Sequence, residues 1–224
     1  MKSPALALSS LVSCLALALS ARAQAPAASV DLLNGKDLAG WSLVTPEHAD
    51  IAAVCQVAAD GSVAVAGKPI GYLLADGTYK NYQLHVEWRW PANAVKNSNS
   101  GVLVHIGSGP MDRNTWPLCF QVQTKVTRAG DIIPMAGAKF AEALSTPPGA
   151  ATPQLYRQHK ESSEKPLGEW NTCDVTCRDG VLECTVNGVA ENRVSGCQPA
   201  AGKIGIQLEG FPYELRNIRI AVLP

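Results

Sequence analysis

Four segments of the sequence carry polar side chains with chemical capacity at every second position. Carboxylates, imidazoles and guanidinium groups can move protons or pair with charge, and amides form directional hydrogen bonds. The polar positions are Glu87 and Arg89 in the first segment, His105 in the second, Gln121 and Gln123 in the third, and Gln207 and Glu209 in the fourth. If these segments are neighbours in one sheet, their side chains merge into a patch suited to a hydroxyl-rich ligand. The alternative is the ordinary solvated face of a half-buried sheet.

The elements that must position these side chains are β-strands. Apolar residues such as Leu84 and Val86 occupy the intervening positions, and a period of two is typical of a strand with one buried face. Turn dipeptides lie between strand-like stretches of the sequence, such as Asp179-Gly180 and Asn187-Gly188 on either side of residues 181–186. We predict strands over residues 30–33, 51–58, 62–66, 82–90, 101–107, 120–126, 172–178, 181–186, 203–209 and 213–223.

Many short strands with turns between them predict an all-β sandwich or barrel. No segment shows sustained helical periodicity, apart from a short turn near residues 138–144. Residues 127–170 are irregular and rich in Gly, Pro and Ala. Because long loops in compact domains are uncommon and often functional, we predict that this stretch forms a lid or wall of a site.

The N-terminal residues have the features of a secretory signal peptide. Residues 1–23 combine Lys2, an apolar run and the small residues of Ala21-Arg22-Ala23. The run is too short and too close to the cleavage pattern for a transmembrane segment. We therefore expect export to the periplasm or the medium, with a linker-like segment over residues 24–29 and a single β-sandwich domain over residues 30–224. A lipoprotein anchored through Cys14 is the less favoured alternative.

Charge and cysteine content restrict the partners and the covalent structure. The formal net charge is zero and the sequence has no basic stripe, so nucleic acid is not an expected partner. Six cysteines follow the signal segment: Cys55, Cys119, Cys173, Cys177, Cys184 and Cys197. An oxidising compartment permits disulfides, and Cys177 with Cys197 is the candidate pair. Buried free thiols are the alternative.

Short motifs stand in order along almost the entire mature chain. They are Asp31–Trp41, Tyr82–Arg89, Asn99–Val102, Trp116–Pro117, Gln121–Gln123, Ala129–Asp131, Glu164–Asn171, Asn187–Gly188, Gly202–Gly210 and Leu215–Ile218. Together they resemble the 3-keto-disaccharide hydrolase family, also described as 3-keto-glucoside 1,2-lyase and 3-keto-2-hydroxyglucal hydratase domains and formerly a domain of unknown function. The resemblance implies a concanavalin A-like jelly-roll β-sandwich, in agreement with the strand pattern.

The resemblance also implies an activity, which is cleavage of the glycosidic bond of an oxidised sugar. A ketone at C3 acidifies the hydrogen at C2, so a base can remove that proton, C1 can lose its substituent and water can add back. Such a site needs a base, a group that stabilises the enolate oxygen and an acid for the departing oxygen. The partner would be a carbohydrate.

The residues that could carry these roles are drawn from the polar positions. His105 is the first candidate base or ligand of an activating divalent cation, and Glu209 is the second candidate acid or base. Asp131 could orient His105 or hold the cation. Sugar hydroxyls could be bound by Glu87, Arg89, Gln121, Gln123 and Gln207, and Trp116 could stack on a sugar ring.

One position departs from the family pattern. Gln121 stands where the family usually has Glu, and an amide can neither act as a general base nor hold a cation as a carboxylate does. The alternative to an enzyme is therefore a non-catalytic glycan-binding β-sandwich module that has lost its activity.

Overall fold

The structure is a computed structural model, and it describes residues 28–224. These residues form fourteen strands and one short helix, which confirms the all-β prediction. The elements are β1 (Ser29–Asp31), β2 (Trp41–Val44), α1 (Ile51–Val54), β3 (Cys55–Val57), β4 (Val63–Val65), β5 (Gly71–Ala75), β6 (Tyr82–Arg89), β7 (Gly101–Asp112), β8 (Trp116–Gln123), β9 (Ile132–Met135), β10 (Asn171–Arg178), β11 (Val181–Val186), β12 (Val189–Val194), β13 (Lys203–Leu208) and β14 (Tyr213–Val222).

The strands form two antiparallel sheets packed as a jelly-roll sandwich. The eight-stranded sheet has the order β12-β11-β10-β6-β14-β4-β3, with β1 also paired to β14. The six-stranded sheet has the order β2-β5-β13-β7-β8-β9. Strands distant in the sequence are therefore neighbours in space, which is how separate segments can contribute to one site.

The core lies between the two sheets and follows from the alternation within each strand. In β6, Tyr82, Leu84 and Trp88 are at most 1% exposed, while Gln83 is exposed. On the facing sheet, Phe120 and Ile204 are fully buried. Burial of a large apolar side chain contributes about 2–3 kcal/mol, so this interleaved layer supplies most of the stability.

Several elements differ from the strand predictions. Residues 51–54 form α1, because the Asp50 side chain caps it by accepting a hydrogen bond from the Ala52 N–H at 3.0 Å. Strand β7 continues to Asp112, beyond the predicted end at residue 107. Strands β2, β5, β9 and β12 were not predicted, and β9 lies inside the stretch expected to be irregular.

The predicted disulfide is not present. All six cysteines within residues 28–224 are buried free thiols, including Cys177 and Cys197. Burial raises the pKa of the Cys177 thiol to about 12 and that of Cys197 to about 11. The thiols therefore stay protonated and pack as small apolar side chains.

The expected signal segment, residues 1–23, and most of the linker-like segment lie outside the described residues. Within the described part, no helix is long and apolar enough to cross a membrane.

Candidate active site

Two of the four polar strand faces, those of β8 and β13, meet on the outer side of the six-stranded sheet. Strand β7 lies between β13 and β8. Gln121 and Gln123 alternate with Phe120 and Val122, which lie in the core, so the two amides face outward. Gln207 of β13 lies on the same side, since it is hydrogen-bonded to Gln121.

Three glutamines and Glu209 form a continuous hydrogen-bonded series, which we call the amide chain. The Nε2 group of Gln121 donates to Gln123 Oε1, and also to Gln207 Oε1 at 2.9 Å. Gln207 Nε2 donates in turn to Glu209 Oε2 at 2.5 Å. The three amides are at most 5% exposed, so these bonds fix which atom each amide presents.

The amide chain lines a cavity of about 650 Å³, a volume typical of small-molecule sites. Strand β8 contributes Trp116, which is 7% exposed, and β9 contributes Ile133 and Met135. Residues 134–137 and 151–154 form another wall, so the long stretch between β8 and β10 encloses the site. The cavity combines an apolar ring surface with directional polar groups, as sugar binding requires.

Glu209 is the carboxylate at the end of the amide chain. Burial raises the pKa of Glu209 above its ordinary value, while the charges of Arg113 and Lys125 act in the opposite direction. A carboxyl with a raised pKa is a better proton acceptor when ionised and a better donor near neutral pH. The predicted acid or base Glu209 thus lies in the cavity, beside groups able to stabilise negative charge.

Arg128 also lines the cavity, and it forms an ion pair with Asp131. The Asp131 side chain is fully buried, with Oδ2 2.9 Å from Arg128 Nε, and its Oδ1 accepts a hydrogen bond from the Arg157 N–H at 2.7 Å. The guanidinium of Arg128 lies 4.1 Å from the centre of the Tyr156 ring. Asp131 does not line the cavity. Its position is that of a residue that orients Arg128, which differs from the predicted contact with His105 or a cation.

His105 lies in the core and not in the cavity, which corrects its expected placement. Its φ angle is 55°, and the register of β7 against β8 shifts at this point. The bulge turns the imidazole inward, where its ring centre lies 5.7 Å from Tyr82 and 6.4 Å from Phe120, and Nδ1 lies 3.1 Å from the carbonyl oxygen of Pro199. Burial lowers the pKa of His105, which favours the neutral ring.

Glu87 and Arg89 are also outside the cavity, because β6 belongs to the other sheet. Glu87 accepts a hydrogen bond from Arg216 Nε at 2.7 Å, and Arg89 Nε donates to Glu214 at 2.6 Å. The guanidinium groups of Arg216 and Arg89 lie 4.1 Å and 4.6 Å from the ring centre of Trp170. Glu87 and Arg89 therefore form ion pairs on the other sheet. The expectation that they bind a sugar in this cavity does not hold.

Sequence reasoning missed three cationic residues of the cavity. Lys125 follows Gln121 and Gln123 at the same spacing, so the alternation that selected the two amides could have selected it. Arg113 and Arg128 follow the ends of β7 and β8, where no periodic signal exists. All three line the cavity.

The cavity does not have the donor set of a divalent-cation site. Residues 28–224 contain no group of three or more His, Cys, Asp or Glu side chains that could hold a metal ion. The carboxylates of Asp112 and Glu209 share the lining with three cationic side chains. Hard cations prefer several anionic oxygen ligands, so the residues do not fit the expected cation and no step is assigned to one.

Because Gly101 has no side chain, the Gln121 side chain can occupy the space beside it. A Cβ atom at residue 101 would lie 2.5 Å from Gln121 Cγ and 2.6 Å from its Nε2. We expect Gly101→Ala to displace the Gln121 amide and to weaken ligand binding in the cavity about tenfold, at a stability cost of about 1 kcal/mol, because the side chain can move. Gly107→Ala on the same strand is the matched control, since its Cβ would make only ordinary contacts from 3.7 Å. Calorimetric titration with the keto-glycoside that the sequence resemblance implies, together with thermal unfolding, checks both effects, and equal affinities would contradict the expectation.

Solved structures of low sequence identity share the fold. A candidate glycosyl hydrolase from Parabacteroides distasonis ATCC 8503 is 22% identical, with a TM-score of 0.62 over 88% of this chain and 94% of that chain. A β-glucanase from Bacillus licheniformis is 10% identical, with a TM-score of 0.54 over 89% and 99%. The carbohydrate-binding module CBM66 from Bacillus subtilis is 6% identical, with a TM-score of 0.55 over 81% and 95%.

None of the curated proteins matches this chain in sequence. The sequence model of one family does match, and it covers residues 28–221. This range includes all fourteen strands, apart from the last residue of β14. It also includes all residues of the amide chain. The chain therefore belongs to the family of 3-keto-α-glucoside-1,2-lyase-like domains.

Proposed function

We propose that the protein cleaves the glycosidic bond of 3-keto-glycosides in the cavity on the six-stranded sheet. The observation that carries this proposal is the position of Glu209, a carboxylate of raised pKa oriented by Gln207 in a cavity lined with cationic side chains. Membership of the family supports a carbohydrate-active function.

The first half of the reaction is an elimination. The ionised carboxylate of Glu209 takes the proton from C2, and the C–H electron pair forms a C2–C3 double bond while the carbonyl oxygen becomes an enolate. In this proposal Lys125 and Arg113, whose charges act on Glu209, stabilise that oxygen. The enolate then re-forms the ketone, a C1–C2 double bond appears, and the C1–oxygen bond breaks. The departing oxygen takes the proton that Glu209 carries.

The second half is a hydration that returns the site to its starting state. Glu209 removes a proton from water as its oxygen bonds to C1, and the electrons of the C1–C2 double bond pass to the enolate. The same carboxyl then returns a proton to C2. The net reaction consumes one water and releases a free 3-keto sugar and the aglycone alcohol.

Turnover in deuterated water tests this sequence of steps. The purified mature protein, given several 3-keto-glycosides without added metal, is expected to release a 3-keto sugar carrying one deuterium at C2, seen by NMR. Release without deuterium at C2 would contradict the elimination route. An absence of release across the series would overturn the proposed activity.

A glycan-binding module is the second candidate, favoured by one observation. Gln121 stands where the family usually has Glu, and its amide already donates to Gln123 and Gln207. If the site only binds, the wild-type protein holds keto-glycosides without turnover, and Gln121→Glu gains turnover. If Glu209 is the base, the wild type turns over and Gln121→Glu changes the rate only moderately. Parallel titration calorimetry and product assays separate the two.

We also infer that the protein is exported, on the basis of the signal features of residues 1–23. Mass spectrometry of protein recovered from the periplasm or the medium is expected to give a chain that begins at Gln24. An uncleaved chain in the cytoplasm would overturn this inference, whereas a lipid adduct on Cys14 would keep export and replace cleavage before Gln24 by lipoprotein processing.

A further inference from the structure

A second groove adjoins the cavity and has a volume of about 560 Å³. Both hollows are lined by Pro134 and Pro153, so they adjoin at these two residues. We call the second hollow the proline groove. A glycoside whose oxidised sugar lies on the amide chain must direct its aglycone out of the cavity, and the proline groove is a place that can receive it.

The lining of the proline groove is largely apolar. Besides the two shared prolines it includes Ala138, Phe140, Leu144, Pro147 and Pro148. The ring of Phe140 packs 6.2 Å from that of Phe120 in the core, which gives the groove a fixed aromatic surface. Leu144 is 40% exposed, so an apolar ligand there would remove its side chain from water.

Most polar side chains of the proline groove already have partners. The Glu142 carboxylate accepts hydrogen bonds from the Ser195 N–H at 2.9 Å and its hydroxyl at 2.8 Å. The Thr146 hydroxyl accepts one from the Gln154 N–H at 3.1 Å. Lys139 is the remaining charged side chain in the lining. A second sugar placed here would lose hydrogen bonds to water and find few replacements, which is unfavourable.

We propose that the proline groove is the aglycone site and that it selects apolar, ring-shaped aglycones over a second sugar. This proposal rests on the proposed function, because it assumes that the oxidised sugar occupies the cavity. The contribution of the groove is burial of the aglycone ring against Phe140, Leu144 and the proline rings.

The test compares three substrates that each release an alcohol: benzyl and methyl 3-keto-glucosides and a 3-keto-disaccharide. The benzyl compound is expected to exceed the disaccharide at least about tenfold in kcat/KM. Leu144→Ser is expected to lower the benzyl value about tenfold and to leave the methyl value unchanged. Leu167→Ser is the matched control, because Leu167 is 39% exposed and lines neither hollow.

The outcomes separate the aglycone site from the activity itself. Turnover with equal benzyl and disaccharide values, or a Leu144→Ser effect equal for all three substrates, overturns the aglycone proposal and leaves the proposed function standing. If no substrate is cleaved, the proposed function fails, and the same three compounds are titrated calorimetrically. A benzyl preference in affinity that Leu144→Ser removes then supports the groove as a binding site, and equal affinities overturn it.

Discussion

Glu209→Gln is expected to lower kcat/KM for a 3-keto-glycoside by about 10³-fold, the scale of an essential general base. The substitution keeps the size of the side chain and a carbonyl oxygen that can accept from Gln207 Nε2. In the proposed mechanism it removes the group that takes the proton from C2. We therefore expect affinity for the keto-glycoside to change little while the rate of product release collapses.

The pH dependence gives an independent test of Glu209. The pKa of Glu209 is raised above its ordinary value of 4.5, and only the ionised form can act as the base. In the wild type, kcat/KM is therefore expected to fall with decreasing pH at a value higher than for an ordinary Glu. The residual activity of Glu209→Gln should lack this limb. An identical acidic limb in both proteins would assign the titration to another group.

Stability should move in the opposite direction to activity. Because the folded-state pKa of Glu209 lies above its unfolded value, its contribution to stability is greatest at low pH and is lost as pH rises through the folded value. The uncharged Gln has no such loss. The Tm of Glu209→Gln relative to wild type is thus expected to increase with pH above 4.5. Glu183→Gln, which removes a surface carboxylate 2.9 Å from Arg193, is the control and should change neither rate nor Tm appreciably.

Asp131→Ala is expected to reduce the free energy of unfolding by about 2–3 kcal/mol. The change leaves the Arg157 N–H without its acceptor and Arg128 without its counter-ion. Arg128 can then leave the cavity, so KM for the keto-glycoside should also rise. Urea unfolding and steady-state kinetics measure the two effects.

Asp131→Asn separates the two consequences. Its amide oxygen can still accept from the Arg157 N–H, so most of the stability should return, but the charge that holds Arg128 is gone. We expect a KM close to that of Asp131→Ala combined with nearly wild-type unfolding. If KM returned together with stability, Asp131 would act only by supporting the local fold.

The fold could be predicted because alternation and turn chemistry are local properties. The burial of Leu84 and Trp88 in β6 follows from period two, and the turn between β10 and β11 follows from Asp179-Gly180, whose φ angles are 51° and 76°. The helix at residues 51–54 was missed because the cap formed by Asp50 outweighed the strand-like composition.

The alternation of residues in a strand predicts which side of a sheet each side chain faces. It does not predict which sheet the strand joins, nor where a bulge reverses the alternation. Gln121, Gln123 and Gln207 converge because their strands share one sheet. Glu87 shows the same alternation, but no local pattern tells which sheet a strand joins. His105 has the spacing of an outward residue, and the positive φ at that position reverses it. Arg128 is placed by a loop, whose course depends on the whole fold.

The direction of the hydrogen bonds in the amide chain depends on the ionised state of Glu209. Both hydrogen bonds that link Gln121 to Glu209 run toward the carboxylate, because an ionised carboxylate can only accept. Once Glu209 holds a proton it can donate instead, and the reason for that polarity disappears. The ionised carboxylate thus sets the order of donors and acceptors that a ligand in the cavity would meet.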